Sequence, residues 1–149
     1  MVEILEPFLA AARGSLKHAQ DRVRAEALIL HWAAAWQGPT RRLTITSSNH
    51  GAYLHFDQRV GTVWTQVFSF HAASRVGLTM RGPDPDRVRK SHKFRANKLN
   101  RSPLDAIFEA WSAHGEARPA NNAVEFHLVE TPDETWEACL QEALENLKS

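Results

Sequence analysis

Between residues 42 and 81 the chain sets out four runs of strand-forming residues separated by only a few residues each. Residues 42–47 are rich in β-branched side chains, and Asn49-His50-Gly51 reads as a turn. Residues 52–57 alternate, 58–61 turn again, and 62–72 form a long run of Val, Trp, Thr and Phe. Residues 75–81 alternate with Val76, Leu78 and Met80 on one side. Connections this short cannot carry a parallel crossover, so the four runs predict an antiparallel meander. A slip of one residue would exchange the two faces, and the 58–61 loop leaves the register open.

Such a sheet must bury one face, and the flanking sequence offers helices to cover it. Pro7 suits a first helical turn, where its missing N–H costs nothing, and Gly14-Ser15 predicts a break. A second helix runs to about Trp36, with Leu16, Ala19, Val23, Ala27, Leu30 and Ala34 at helical spacing, and Gly38-Pro39 stops it. Ser102-Pro103-Leu104-Asp105 caps a further helix that turns Ile107, Phe108 and Trp111 inward and ends at Gly115. Residues 119–122 read as a loop. Val124, Phe126 and Leu128 alternate with Glu125, His127 and Val129, which predicts a strand. Thr131-Pro132-Asp133-Glu134 has the capping-box spacing, and Trp136, Leu140, Ala143, Leu144 and Leu147 make one apolar stripe of the helix that follows. The expected fold is therefore α+β: an antiparallel β-meander of four to five strands packed against N- and C-terminal helices. Strands and helices do not alternate regularly, which disfavours a doubly wound parallel sheet. The 149 residues suit one domain, 1–149, with a real core.

No apolar run approaches the roughly 20 residues that cross a bilayer, so no membrane partner is expected. The first nine residues carry Glu3 and Glu6 without a preceding basic residue, unlike a secretory signal. Cys139 is alone, which excludes an internal disulfide and a cysteine-based metal cluster. The expected setting is cytoplasmic.

Net charge is only +1, but it is strongly segregated. Residues 81–101 hold eight basic side chains against Asp84 and Asp86, whereas residues 102–149 hold ten acidic against Arg118 and Lys148. Two arrangements produce this pattern: a basic surface for an anionic partner, or internal pairing of the basic segment with the acidic C-terminal helix. The stretch 82–101 opens Gly82-Pro83-Asp84-Pro85 and reads as a basic loop or short helix. Its Arg87, Arg89, Lys90, Lys93, Arg95, Lys98 and Arg101 could gain affinity for phosphates by counterion release, and Phe94 could stack on an unpaired base. The leading expectation is a binding protein that contacts nucleic acid or another polyanion through these residues. The alternative is a protein-interaction module of chaperone, immunity or adaptor type, or a homodimer. It would use a sheet face or Trp32 and Trp36, one helical turn apart and partly exposed if the Leu30 face is the buried one.

Catalytic signatures are missing. There is no G-x-S-x-G, no G-x-x-x-x-G-K-[ST] and no G-x-G-x-x-G, and residues 62–72 carry neither lysine nor acid for a metal-dependent nuclease centre. Asp57 and Gln66 fall on adjacent strands with Glu125 a third candidate nearby, too few carboxylates to hold a catalytic cation. His55, His71 and His127 lie on three predicted strands, where two or three could share a sheet face. No H-x-H or H-E-x-x-H spacing accompanies them, so neither metal nor cofactor is expected.

Overall fold

The computed structural model describes residues 2–60, 62–83, 102–121 and 123–147. Helices α1 (Val2–Ser15) and α2 (Ala19–Ala35) precede strands β1 (Arg41–Ser48), β2 (Gly51–Val60), β3 (Val63–Ala73) and β4 (Gly77–Gly82). Then come α3 (Ser102–Ser112), β5 (Arg118–Ala120), β6 (Ala123–His127), a 3-10 turn (Leu128–Glu130) and α4 (Asp133–Asn146). The strands form one six-stranded sheet in the order β1-β2-β3-β4-β6-β5, every pairing antiparallel. The architecture is α+β, a meander with helices at both ends, as the sequence predicts.

The sheet has one strand more than expected. The addition is β5, in a stretch read as loop because of Pro119. A proline cannot donate to a ladder, but β5 lies at the sheet edge and pairs on one side only, where that defect is tolerated.

Register is set at the β1–β2 turn. Gly51 has φ +125°, and a Cβ there would lie 2.2 Å from the carbonyl oxygen of Ala72. Only glycine fits, so Ser48 pairs with Gly51 and the ladder runs back to Arg41 opposite Gln58. A bulge between Phe56 and Asp57 shifts the β2–β3 register, leaving Phe56 opposite Phe68 but Asp57 opposite Gln66.

With this register Leu54, Phe56, Phe68, Phe70, Leu78, Met80, Val124 and Phe126 turn toward the helices and are buried. Trp32 stands at the centre of the core. Its ring meets those of Phe56, Phe68, Phe70, Trp111 and Trp136 at centroid distances of 5.3 to 6.4 Å, all edge-on or tilted. These are the favoured aromatic geometries. Trp36 packs edge-on against Phe56 and Phe68 and donates from Nε1 to the Asp57 carbonyl at 3.0 Å.

Trp32 and Trp36 are therefore not a surface patch: they are 0% and 1% exposed. The difference lies in the helix phase. The stripe that faces the sheet is Ala25, Ile29, Trp32, Ala33 and Trp36, whereas Val23 is 71% exposed and Ala27 and Ala34 face outward. Burying two indoles outweighs burying a valine and small alanines, so the helix rotates to satisfy the tryptophans.

Two local signals also resolve differently. Pro7 lies five residues after the start of α1 rather than in its first turn, so the carbonyl of Glu3 loses its i+4 donor. Thr131 does not cap α4. Its hydroxyl donates to the His127 carbonyl at 2.8 Å, the helix begins one residue later at Asp133, and Pro132 is the cap residue. Arg24 secures this junction, donating to the carbonyls of Leu128 and Thr131 and pairing with Asp133. Among the described residues no helix is long and apolar enough to cross a membrane.

Candidate functional site

All four described helices pack on the aromatic face, so the opposite face of the sheet is lined by the alternate residues of each strand. Cross-strand pairing orders them into rows. One row runs Thr46, Tyr53, His71, Thr79, His127, and the next Thr44, His55, Ser69, Arg81, Glu125, Arg118. A third, beyond the bulge, holds Arg42, Asp57 and Gln66, and the paired Arg59 and Trp64 close that end.

The rows are joined by direct contacts. The rings of Tyr53 and His71 stack at 4.2 Å and 3°, and Tyr53 also lies parallel to His55 at 5.8 Å. His55 bonds to the hydroxyl of Thr46 at 2.8 Å through Nε2 and to that of Ser69 at 2.7 Å through Nδ1. His71 Nε2 donates to the His50 carbonyl at 3.0 Å, and His127 Nε2 to Glu125 at 2.8 Å. Glu125 also accepts from Arg81 at 3.0 Å. Burial alone would raise the Glu125 carboxyl, but the hydrogen bonds and charges of Arg81 and His127 outweigh it and hold it below its ordinary range.

At the far end, the Arg42 guanidinium lies 4.4 Å from the Trp64 ring centre and that of Arg59 5.5 Å. Arg42 pairs with Asp57 at 3.1 Å, and Thr44 donates to the same oxygen, Oδ2, at 2.9 Å. The other oxygen, Oδ1, is buried without a hydrogen-bond partner. No ion pair joins Arg59 to a described carboxylate, and its side chain is exposed beside the indole.

The three histidines do share this face, but they do not converge. His71 and His127 lie two strands apart, about 10 Å at ordinary strand spacing, with Thr79 between them. Each already binds through a ring nitrogen, so the face holds no histidine metal site among the described residues. Asp57 lies directly opposite Gln66, but Glu125 is three strands from β2, about 14 Å away, too far to share a cation with Asp57.

The basic stretch Arg87, Arg89, Lys90, Lys93, Phe94, Arg95, Lys98 and Arg101 lies outside the described residues. Its attachment points are described. The chain leaves the sheet after Gly82, whose Cα hydrogen position faces Phe68 so closely that a Cβ would lie 2.5 Å from the Phe68 Cβ. That is the end of the sheet where Gln66, Trp64, Arg42 and Arg59 stand. The chain returns at α3, where Leu104 is buried. Described partners of the acidic helix α4 are Arg24 for Asp133, His31 for Glu137 and His114 for Glu142. Hydrogen bonds from Gln141 and His31 hold the Glu137 carboxyl below its ordinary range.

The charge run is legible in the sequence, whereas the Tyr53–His71 stack and the Arg42–Trp64–Arg59 group are not. Both need the register, and the bulge after Phe56 brings Arg59 opposite Trp64. Comparison with protein-family models, with curated proteins and with solved structures finds no match for this chain.

Proposed function

We propose that this chain is a binding protein for single-stranded nucleic acid or a similar polyanion, and that its contact surface is the sheet face opposite the helices. The observation that carries this reading is the group formed by Arg42, Arg59 and Trp64, at the sheet end from which the basic segment departs. Guanidinium groups held over an indole are pre-positioned donors for phosphate oxygens, and an aromatic ring beside them can stack with an unpaired base. Hydroxyls of Thr44, Thr46 and Ser69 line the same face, each bonded to Asp57 or His55. In the sequence, the cations of residues 87–101 follow the last strand of the meander.

Fluorescence anisotropy with a labelled single-stranded oligonucleotide, titrated over a range of salt, tests the proposal. Affinity is expected to fall steeply with salt. Converting Arg89, Lys90, Lys93 and Arg95 to glutamine is expected to weaken binding and to flatten the salt slope by about 0.7 for each phosphate no longer neutralised. No binding at low salt, or binding indifferent to these changes, would refute it.

The protein-interaction alternative survives only in its sheet-face form, since Trp32 and Trp36 are interior. What favours it is the parallel Tyr53, His55 and His71 ring stack, an aromatic strip amid hydroxyls. A stoichiometric protein complex insensitive to salt and disrupted by Tyr53→Ala, together with no oligonucleotide binding, would select it.

A further inference from the structure

Away from the sheet face, the junction of α3 and α4 brings together three side chains of different donor type. His114 follows α3, and Cys139 and Glu142 sit three residues apart on one side of α4. One ligand atom from each lies within 4.8 Å of the other two, and His114 Nε2 is 2.9 Å from Glu142 Oε1. We propose that His114, Cys139 and Glu142 form a binding site for a divalent zinc-class metal ion.

The donor set is one imidazole nitrogen, one thiolate sulfur and one carboxylate oxygen, all first-choice ligands for zinc. Zinc–ligand bonds of roughly 2.0–2.3 Å in a tetrahedron place ligand atoms roughly 3.3–3.7 Å apart. Closing from 4.8 Å requires side-chain movements of about one ångström, within rotamer adjustment. The surrounding structure holds the ligands in place. The backbone carbonyl of Cys139 accepts from Trp111 Nε1 at 3.0 Å, which fixes the level of α4 against α3. His114 is positioned by a backbone hydrogen bond to Trp111 and an edge-on contact with Phe126. Glu116, held by the Thr135 hydroxyl at 3.0 Å, adds a second carboxylate nearby.

Binding exchanges the thiol proton and the His114–Glu142 hydrogen bond for three metal bonds, leaving one coordination position for water or Glu116.

The test is a Co²⁺ titration of the full chain after treatment with a chelator, followed by displacement with Zn²⁺. Expected are one ion per chain, intense visible bands of tetrahedral cobalt and a thiolate-to-cobalt charge-transfer band in the near ultraviolet. Cys139→Ala should abolish the charge-transfer band. His114→Gln and Glu142→Gln, both at partly exposed positions, should each weaken cobalt binding at least about tenfold while near-UV circular dichroism stays native. Absence of stoichiometric binding, binding without the charge-transfer band, or a band unmoved by His114→Gln and Glu142→Gln would overturn the proposal. Those two variants decide the matter even where Cys139→Ala does not fold.

Discussion

The two faces of the sheet are built from the same strands, residue by alternate residue, yet they obey different requirements. Toward the helices, Phe56, Phe68, Phe70 and Phe126 interlock with Trp32, Trp36, Trp111 and Trp136 in a buried aromatic core. Toward the other side, Tyr53, His55, Ser69, His71, Thr79 and Glu125 form hydrogen-bonded and stacked rows. Burial dictates the first set, because each large ring removes apolar area from water. On the second face His55, Asp57 and Thr79 are also buried, so their polar groups must be paired, whereas nothing about burial demands tyrosine and arginine at its exposed positions. Threonine and lysine alone would make an adequate solvated face. It is this second face that we propose as the contact surface.

The distinction between the faces breaks first if they tolerate truncation equally. Trp32→Ala should cost ~3–5 kcal/mol in chemical denaturation, since it opens a cavity ringed by five aromatic neighbours. His71→Ala should cost less than about 1 kcal/mol, the scale of a single cross-strand pair. Equal losses would mean that the polar face is structural. Gly51→Ala comes next, with an expected loss of ~1–3 kcal/mol from the strained φ and the clash with the Ala72 carbonyl. A neutral result would show that the β1–β2 turn does not set the register on which both faces depend.

The smallest effect concerns pH. Glu125 has a carboxyl pKa lowered in the folded state, so its contribution is complete above the ordinary carboxylate range and is lost as pH falls through the folded value. Stability differences between the native chain and Glu125→Gln should therefore be present at neutral pH and vanish in acid. Solvent screening limits the effect to about 0.5 kcal/mol. A difference that grows on acidification would contradict the Arg81–Glu125–His127 arrangement.

The meander is legible in the sequence because each strand carries its own alternation and the connections are too short for anything else. Leu78 and Met80 fall on the buried side as expected, while Val76 sits half-exposed in the turn before β4. The phase of α2 is not legible, since Leu16, Val23 and Leu30 offer a plausible stripe and only the docked sheet selects Trp32 and Trp36. Pro119 masks β5, because whether a proline is tolerated depends on which strand is the edge. The polar face emerges only with the register, which one glycine and one bulge determine. The trio His114, Cys139 and Glu142 leaves a faint trace, a C-x-x-E step on a helix, but the histidine arrives from a different element. Charge segregation is plain in the sequence, and its basic half falls outside the described residues.

The most direct test of the polar face as the contact surface compares the native chain with the Arg42→Gln, Arg59→Gln, Trp64→Ala variant by oligonucleotide anisotropy across salt concentrations. Arg42 is shared with Asp57, so loss of the Arg59 contact sets the scale, and the logarithmic salt slope should flatten by about 0.7 or more, with affinity reduced at every salt concentration. Unchanged slope and affinity in a variant that folds normally would contradict the account.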